Sequence, residues 1–403
     1  MKWGIAGLLT IVIVVSGCQE QLTAPGDCPA LCPGGQPQVF DEAFSPIIGA
    51  DSSFRGFVQS RAASSLLVSN GLQGFEERAL TRFGRRSDSV SVRDTLRAYV
   101  IDSVALTFTV LARDTNLAGL QLLVYRVSPS IDSTATFAGS APAFVPESLI
   151  ATIPVPDTLN QGVVRALFQG ADLSRVQIAP ADSGQLALGV RIASPTPTGA
   201  RLGALASSTG AFFTTYVTAD IPDTGTAKLR TIAIGSAFNT SVSEAPQVDD
   251  STLLAVGGEP SARALLRFSL PSRILDSATI VRATLELTPV VPITGLPTDP
   301  ARLQARALLA DVGPKSPVTS TAGRVPADTL EIGENAVSLE AVRLVELWLG
   351  ATTRPSALIL SLAPEQEAAS FTRPVFHSTR AVDPAVRPRL RVTYLLKFPF
   401  ETP

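Results

Sequence analysis

The stretch that decides the fold is VALTFTV, from Val104 to Val110, in which large apolar residues alternate with small or polar residues. Successive side chains of an extended strand point to opposite faces of a sheet. Val104, Leu106, Phe108 and Val110 therefore share one face, and the residues between them share the other. This period of two predicts a strand that buries one face in a core.

The same alternation recurs along the chain, in LALGVRI at 186–192, ALLRFSL at 264–270, ATLEL at 283–287 and LRVTYLL at 390–396. The 29 glycines and 31 prolines lie mostly between such runs, where they favour turns. Short strands with frequent turns are typical of β-sandwiches and jelly rolls. We therefore expect an all-β chain with jelly-roll-like sandwich architecture.

Two distant segments of the chain repeat each other. RALTRF at 78–83 and RALLRF at 263–268 differ at one position only. Each follows an apolar stretch that ends in glycine, LLVSNG at 66–71 and LLAVGG at 253–258. This agreement indicates an internal duplication.

Later aromatic residues keep the order of the repeat. Phe168 falls opposite Trp348 and Tyr216 opposite Tyr394, with partners about 180 residues apart. The pattern predicts two tandem β-sandwich domains, which we assign to residues 51–224 and 228–398.

The N-terminus carries a targeting signal. Lys2 precedes an apolar run from Ile5 to Val15, and the small residues Ser16 and Gly17 precede Cys18. This arrangement resembles a bacterial lipoprotein signal. The resemblance implies that residues 1–17 are a signal peptide and that Cys18 carries the lipid.

A membrane span is the alternative interpretation of this apolar run. The fourteen residues from Gly4 to Gly17 are fewer than the roughly 20 that cross a bilayer as a helix. We therefore expect a lipid anchor, with the membrane as the partner that it contacts. By the same resemblance, Gln19 after the cysteine implies that the exported protein resides in the outer membrane.

Residues 18–50 have the composition of a flexible tether, because they combine Gln, Pro, Gly and acidic residues with few aliphatic residues. Cys28 and Cys32 lie in this segment. An oxidising compartment favours a local disulfide between them. Free thiols and a metal site are the alternatives, although the single histidine, His377, is distant in sequence.

The charge balance excludes some partners. Charged residues make up 17% of the chain and the formal net charge is -2, so bulk charge does not attract nucleic acid. Motifs for phosphate loops, nucleophile elbows and zinc helices are missing from the sequence. We therefore predict no cofactor, no bound metal and no catalytic residue.

Three features are nonetheless candidates for catalytic chemistry. His377 could serve a hydrolytic triad, but a histidine in a strand or loop is the simpler interpretation. The carboxylate pairs Glu76–Glu77 and Asp249–Asp250 could serve a glycosidase. Neighbouring strand residues point to opposite faces, so we expect both pairs to lie in solvated turns.

Aspartate followed by serine or threonine is frequent and suggests turns, because the carboxylate accepts a hydrogen bond from the amide two residues on. Calcium binding is the alternative use of these carboxylates. The positions are Asp51, Asp88, Asp94, Asp102, Asp114, Asp132, Asp157, Asp182, Asp223, Asp250, Asp276 and Asp328.

One segment is typical of a helix. Ser338 is the expected N-cap, Leu339–Leu349 the helix and Gly350 its end. Trp348 belongs to its apolar stripe, which also contains Ala341, Leu344 and Val345. We expect Trp348 in the core; a sugar-stacking role is the alternative.

The second repeat resembles the DNRLRE-type jelly-roll domain over about residues 245–396. The matching segments are Ala262–Phe268 with Leu270, Ala278–Leu287, Leu344–Gly350 and Pro388–Tyr394. The resemblance implies a module of exported surface proteins and polysaccharide-active enzymes, with carbohydrate-binding modules among its relatives. The tryptophan that the family shows before its helix is missing from Ser316–Val325.

Three functions follow as hypotheses. The first is a non-catalytic, surface-anchored lipoprotein with a structural, adhesive or ligand-presenting role. The second is capture of polysaccharide at the cell surface, and another surface protein is the other possible partner. The third is a polysaccharide hydrolase or lyase.

Overall fold

The computed structural model describes residues 38–221, 226–244, 250, 252–313, 315–319, 327–349 and 354–396. The predicted signal peptide and Cys18, Cys28 and Cys32 lie outside the described residues, as do Asp223, Asp249 and Gly350. The described residues from Phe40 onward belong to one compact unit. None of the helices within the described ranges is long and apolar enough to cross a membrane.

The structure confirms the predicted all-β fold. The strands up to the middle of the chain are β1 Val39–Phe44, β2 Ser52–Arg55, β3 Ser65–Asn70, β4 Glu77–Phe83, β5 Val90–Val92, β6 Thr95–Arg97, β7 Val100–Arg113, β8 Gln121–Arg126, β9 Leu149–Pro154, β10 Gly162–Gln169, β11 Ala187–Ala193, β12 Thr198–Gly203, β13 Phe212–Asp220 and β14 Ala227–Ser243.

The remaining strands are β15 Leu253–Ala255, β16 Ala262–Arg267, β17 Ala278–Leu287, β18 Arg302–Ala307, β19 Asp328–Thr329, β20 Val337–Glu340, β21 Ala357–Leu362, β22 Val375–His377 and β23 Arg389–Leu396. The α-helices are α1 Phe137–Ser140, α2 Ser272–Leu275 and α3 Val342–Trp348.

Strands β3 to β13, called here the first half, surround one hydrophobic cluster. The order β14-β13-β7, with β10 on the far side of β7, forms one set of strands. The order β4-β11-β8-β9 forms the other set, and β12 pairs with β3. Both sets contribute to the cluster, which includes Leu106, Phe108 and Val110 from β7 and Leu188 and Val190 from β11.

Strands β15 to β23, called here the second half, surround a second cluster. One sheet has the order β1-β23-β17-β20, another has the order β19-β18-β21-β16-β2, and β15 pairs with β22. Leu285, Leu287, Leu390 and Val392 lie in this cluster, as their alternation predicts.

The N-terminal segment departs from the predicted domain boundaries. β1 and β2 lie within the predicted tether and the start of the predicted first domain, yet they pair with β23 and β16 of the second half. The charged residues in VFDEAF at 39–44 obscure its alternation of buried and exposed side chains. Phe40 and Phe44 pack against the second cluster, and Asp41 and Glu42 bind arginines.

The boundary near residue 228 is also placed differently in the structure. β14 crosses it as one continuous strand that pairs with β13 and then with β4. Residues 228–243 therefore belong to the sheet of the first half, because their backbone hydrogen bonds are made there.

The helix begins later than predicted. Ser338 and Leu339 lie in β20, where they pair with β17, and the helix starts at Val342. Pairing with an existing strand satisfies their backbone groups without a helix turn. Leu344, Val345 and Trp348 are buried, as the predicted stripe requires.

Candidate ligand-binding face

Glu77 does not lie in a solvated turn, contrary to the prediction. Its side chain is fully buried at the start of β4 and forms an ion pair with Arg373 of the second half. Glu76 turns to other partners, with its Oε1 atom 2.8 Å from Arg78 Nε and 3.3 Å from Arg191 Nε. The two carboxylates therefore do not converge on a substrate. The sequence could not show this, because Arg373 is 296 residues away along the chain.

A second buried carboxyl lies near Glu77. Burial raises the pKa of Glu259 to about 8, and the negative charge of Glu77 raises it in the same direction. The Ser60 hydroxyl and Arg373 act to lower it. Burial also raises the pKa of Glu77, against the effect of Arg373. Since Glu77 is fully buried and Glu259 is only 8% exposed, this group is enclosed by protein.

The other predicted candidates have structural positions. His377 lies in β22, where its amide N donates to the Thr288 carbonyl at 3.0 Å. Trp348 is 2% exposed and packs beside Phe268, with ring centroids 6.0 Å apart. Trp348 therefore lies in the core as predicted and cannot stack on a sugar.

The aspartate turns are confirmed at several positions. Asp114, Asp132 and Asp250 each accept a hydrogen bond from the amide two residues on, at 2.7 to 2.9 Å. The hydroxyl and amide of Thr134 lower the pKa of Asp132. Asp51 is different, because it is buried and accepts from the Thr379 amide at 2.8 Å. No three potential metal ligands cluster in the described part of the chain.

An exposed apolar surface lies on the outer side of β10, β7, β13 and β14. Val163 is 62% exposed, Leu167 52%, Phe212 45% and Leu229 64%. Exposed apolar side chains that share one side of a sheet are candidates for a binding surface. We call this surface the apolar face and define it by Val163, Arg165, Leu167, Phe212, Tyr216 and Leu229.

The strand register shows that these side chains share one face. Arg165 and Phe212 both pair with Thr107 of β7, from its two sides. Leu167 lies in the next row with the small residues Ala105, Thr214 and Ala233. Directly opposed residues of antiparallel strands project to the same side. Small residues therefore form the surface between the larger side chains.

Two aromatic residues give this face flat rings, and one arginine gives it a polar group. Phe212 and Tyr216 are four residues apart on β13, a rise of about 13 Å along a strand. The Arg165 Nη2 atom donates to the Tyr216 hydroxyl at 3.0 Å, and its guanidinium lies 5.6 Å from the ring centroid. This contact positions the Tyr216 ring and leaves Arg165 exposed for further donation.

The equivalent surface of the second half is charged instead. β20, β17, β23 and β1 have the same relative order as β10, β7, β13 and β14. Arg391 donates to both carboxylate oxygens of Asp41 at 2.6 to 3.1 Å, and Arg389 lies 3.6 Å from Glu286. We call this surface the charged face and define it by Asp41, Glu286, Glu340, Arg389 and Arg391.

A groove of about 530 Å³ lies elsewhere in the first half. Its lining includes Arg126, Glu147, Arg175 and Gln177. Arg126 Nη2 donates to the carbonyls of Arg175 and Gln177, at 3.0 and 2.7 Å. Arg126 is therefore engaged by the backbone of residues 175–177, which also line the groove.

In the sequence, Tyr216 stands out only as the repeat partner of Tyr394, and the apolar face is not predicted. The strand FFTTYVTAD places aromatic residues at both parities, because Phe212 and Phe213 are adjacent. Either set of alternate residues could have faced the core. The structure buries Phe213 and Val217 and exposes Phe212.

Comparison of the chain with models of protein families and with curated proteins found no match.

Proposed function

We propose that this protein is a non-catalytic, lipid-anchored surface protein that holds a ligand on its apolar face. The observation that carries the proposal is the contrast between the apolar face and the charged face. The same four-stranded surface is built twice in one chain. In one copy it carries ion pairs beside the exposed Val39, and in the other it leaves four large apolar side chains exposed.

The energetic argument follows from exposure. Fully burying an aliphatic or aromatic side chain contributes roughly 1.5 to 3 kcal/mol. Val163, Leu167, Phe212 and Leu229 are about half exposed or more, so a ligand that covers them would gain several kcal/mol before the costs of association. The charged face offers a smaller gain, because it exposes Val39 but otherwise carries ion pairs that are each worth about 0 to 1 kcal/mol.

Polysaccharide is the ligand class that we favour. Flat aromatic side chains such as Phe212 and Tyr216 can stack on the apolar side of sugar rings, and Arg165 can donate to hydroxyl or carboxylate groups. The extended surface, with small residues between the larger side chains, suits a polysaccharide chain rather than a small molecule. The resemblance to DNRLRE-type domains supports this class, since that family has carbohydrate-binding relatives.

A lipid anchor at Cys18 would hold the protein at a membrane, and we propose that it binds its ligand at the cell surface. Cys18 in its lipoprotein-like context would hold the protein in the outer membrane, with the all-β part projecting from it. Two or more acyl chains bind a bilayer stably, whereas one does so only marginally.

Retention on a panel of immobilised neutral and acidic polysaccharides tests the proposal. We expect the full chain, extracted from membranes with detergent, to be retained on at least one of them without releasing sugar products. Phe212→Ala/Tyr216→Ala should weaken retention tenfold or more, because the stacking surface is removed. Asp41→Ala/Arg391→Ala on the charged face is the matched control and should bind as wild type does. Cys18→Ser should leave the membrane fraction without detergent.

The proposal fails if no polysaccharide retains the chain, or if the control variant loses as much retention as Phe212→Ala/Tyr216→Ala. Release of oligosaccharides during retention would instead revive the hydrolase or lyase hypothesis. Thermal unfolding of each variant excludes loss of the fold as the cause.

A further inference from the structure

We infer that the two halves are repeats that have exchanged their leading strands reciprocally within one chain. We call residues 39–55, which contain β1 and β2, the first leading segment. We call Ala227–Ser243, which is β14, the second leading segment. Each segment precedes one half in sequence and completes the sheets of the other.

The halves correspond strand for strand. Taken in chain order, β3, β4, β7, β8, β9, β10, β11, β12 and β13 match β15 to β23. The pairings repeat as well: β4-β11-β8-β9 matches β16-β21-β18-β19, and β10-β7-β13 matches β20-β17-β23. The β5–β6 hairpin is an insertion in the first half. Nine strands that agree in order and in pairing extend the six-residue sequence match into an architectural repeat.

The leading segments occupy equivalent positions in the sheets, each in the half that it does not directly precede. β14, which precedes β15, pairs with β13 and β4 of the first half. β1 and β2, which precede β3, pair with β23 and β16 of the second half. Because β13 matches β23 and β4 matches β16, both segments pair with the same two strands of the repeat. Each segment pairs with the half that it does not directly precede.

The residue register supports the same equivalence. Ser53 of β2 pairs with Ala264, and Ser241 of β14 pairs with Ala79. Ala79 and Ala264 are the matched alanines of RALTRF and RALLRF. The two serines are therefore equivalent positions of the repeat, and each lies against the other repeat's alanine.

The two serine side chains also contact matched strands, β3 and β15, although their hydrogen-bond roles are opposite. Ser241 Oγ accepts from the Leu67 amide of β3 at 2.9 Å, and Ser53 Oγ donates to the Leu253 carbonyl of β15 at 3.4 Å. Two residues before each serine lies a buried polar residue, Asn239 or Asp51.

These buried polar residues hold equivalent loops. The Asn239 side chain accepts from the Leu205 amide at 2.6 Å, in the loop between β12 and β13. The Asp51 side chain accepts from the Thr379 amide at 2.8 Å, in the loop between β22 and β23. Two unrelated strands would have no reason to share both the register and this contact.

The exchange has a consequence for binding. β14 supplies one edge of the apolar face, including Leu229, so that face is completed by the leading strand of the second repeat. β1 supplies Asp41 to the charged face in the same way. The inference stands independently of the ligand, because it depends only on strand pairing.

Cysteine pairs in the full chain test the exchange, in a background with the three native cysteines replaced by serine. Directly opposed residues of antiparallel strands have Cα atoms about 4.5 to 5.5 Å apart, within disulfide range. We expect Ser53→Cys/Ala264→Cys and Ser241→Cys/Ala79→Cys to oxidise fully within one monomer. The crossed variants Ser53→Cys/Ala79→Cys and Ser241→Cys/Ala264→Cys should stay reduced. Peptide mass spectrometry identifies each bond.

The crossed variants oxidising instead would overturn the inference, since they report unexchanged repeats. Covalent dimers from the first two variants would also overturn it, because the exchange would then join two copies of the chain. If a buried cysteine prevents folding, the neighbouring register pairs give Arg55→Cys/Ala262→Cys and Thr240→Cys/Leu80→Cys. Oxidation of these second variants within one monomer supports the exchange, and covalent dimers overturn it.

Discussion

Trp348→Ala is expected to lower the free energy of unfolding by about 3 to 5 kcal/mol. The indole is 2% exposed and belongs to the second hydrophobic cluster, beside Phe268. Removing it forfeits the burial of a large apolar surface and leaves a cavity that α3 and β16 cannot close without moving. Denaturant unfolding followed by circular dichroism measures the loss.

Two control variants separate burial from other effects of this change. Trp348→Phe should cost less, because it keeps most of the volume and because the indole Nε1 atom has no hydrogen-bond partner among the described residues. Phe212→Ala, at a half-exposed ring, should cost clearly less than Trp348→Ala. Equal stability of Trp348→Ala and wild type would contradict the core assignment.

Glu259→Gln is expected to remove a large pH dependence of stability. The pKa of Glu259 in the folded protein is raised from 4.5 to about 8, because burial and the charge of Glu77 both disfavour ionisation. The folded protein therefore holds a proton that the unfolded chain releases. The stabilisation is complete below about pH 4.5 and is lost as the pH rises to about 8.

The size of this effect follows from the shift. One pKa unit corresponds to 1.36 kcal/mol, so the upper bound for Glu259 is about 5 kcal/mol between pH 4.5 and 9. Chemical denaturation at several pH values should show wild type losing stability over this window relative to Glu259→Gln. Parallel curves for the two proteins would contradict the assignment.

Glu77→Gln is the informative comparison for this site. It removes the charge that raises the pKa of Glu259, but it also leaves the partly buried Arg373 without its ion pair. We expect it to destabilise the protein at all pH values, whereas Glu259→Gln should be tolerated best at alkaline pH. This difference distinguishes a protonated carboxyl from an ionised one.

Local alternation in the sequence predicts five of the strands, which the structure shows as β7, β11, β16, β17 and β23. The alternation in VALTFTV corresponds to buried Val104, Leu106, Phe108 and Val110, and the turn aspartates behave as their chemistry suggests. These features depend on neighbours along the chain, which is the information that a single sequence contains most directly.

Features that depend on distant partners could not be predicted. The ion pair of Glu77 with Arg373 and the pairing of β1 with β23 each join residues hundreds of positions apart. β1 appeared to be tether because its charges, Asp41 and Glu42, suggested solvent; in the structure they bind Arg391 and Arg273. The apolar face was hidden for a similar reason, since Phe212 and Phe213 offered two equivalent choices of buried side.

The central claim is that the apolar face holds the ligand, and hydroxyl-radical footprinting tests it most directly. The protein is labelled with and without a polysaccharide that retains it, and modification is quantified for each exposed side chain. The account predicts severalfold protection of Phe212, Tyr216 and Leu229, with Val382, which is 97% exposed, labelled equally in both samples. Protection on the charged face, with the apolar face labelled as in the free protein, would contradict it.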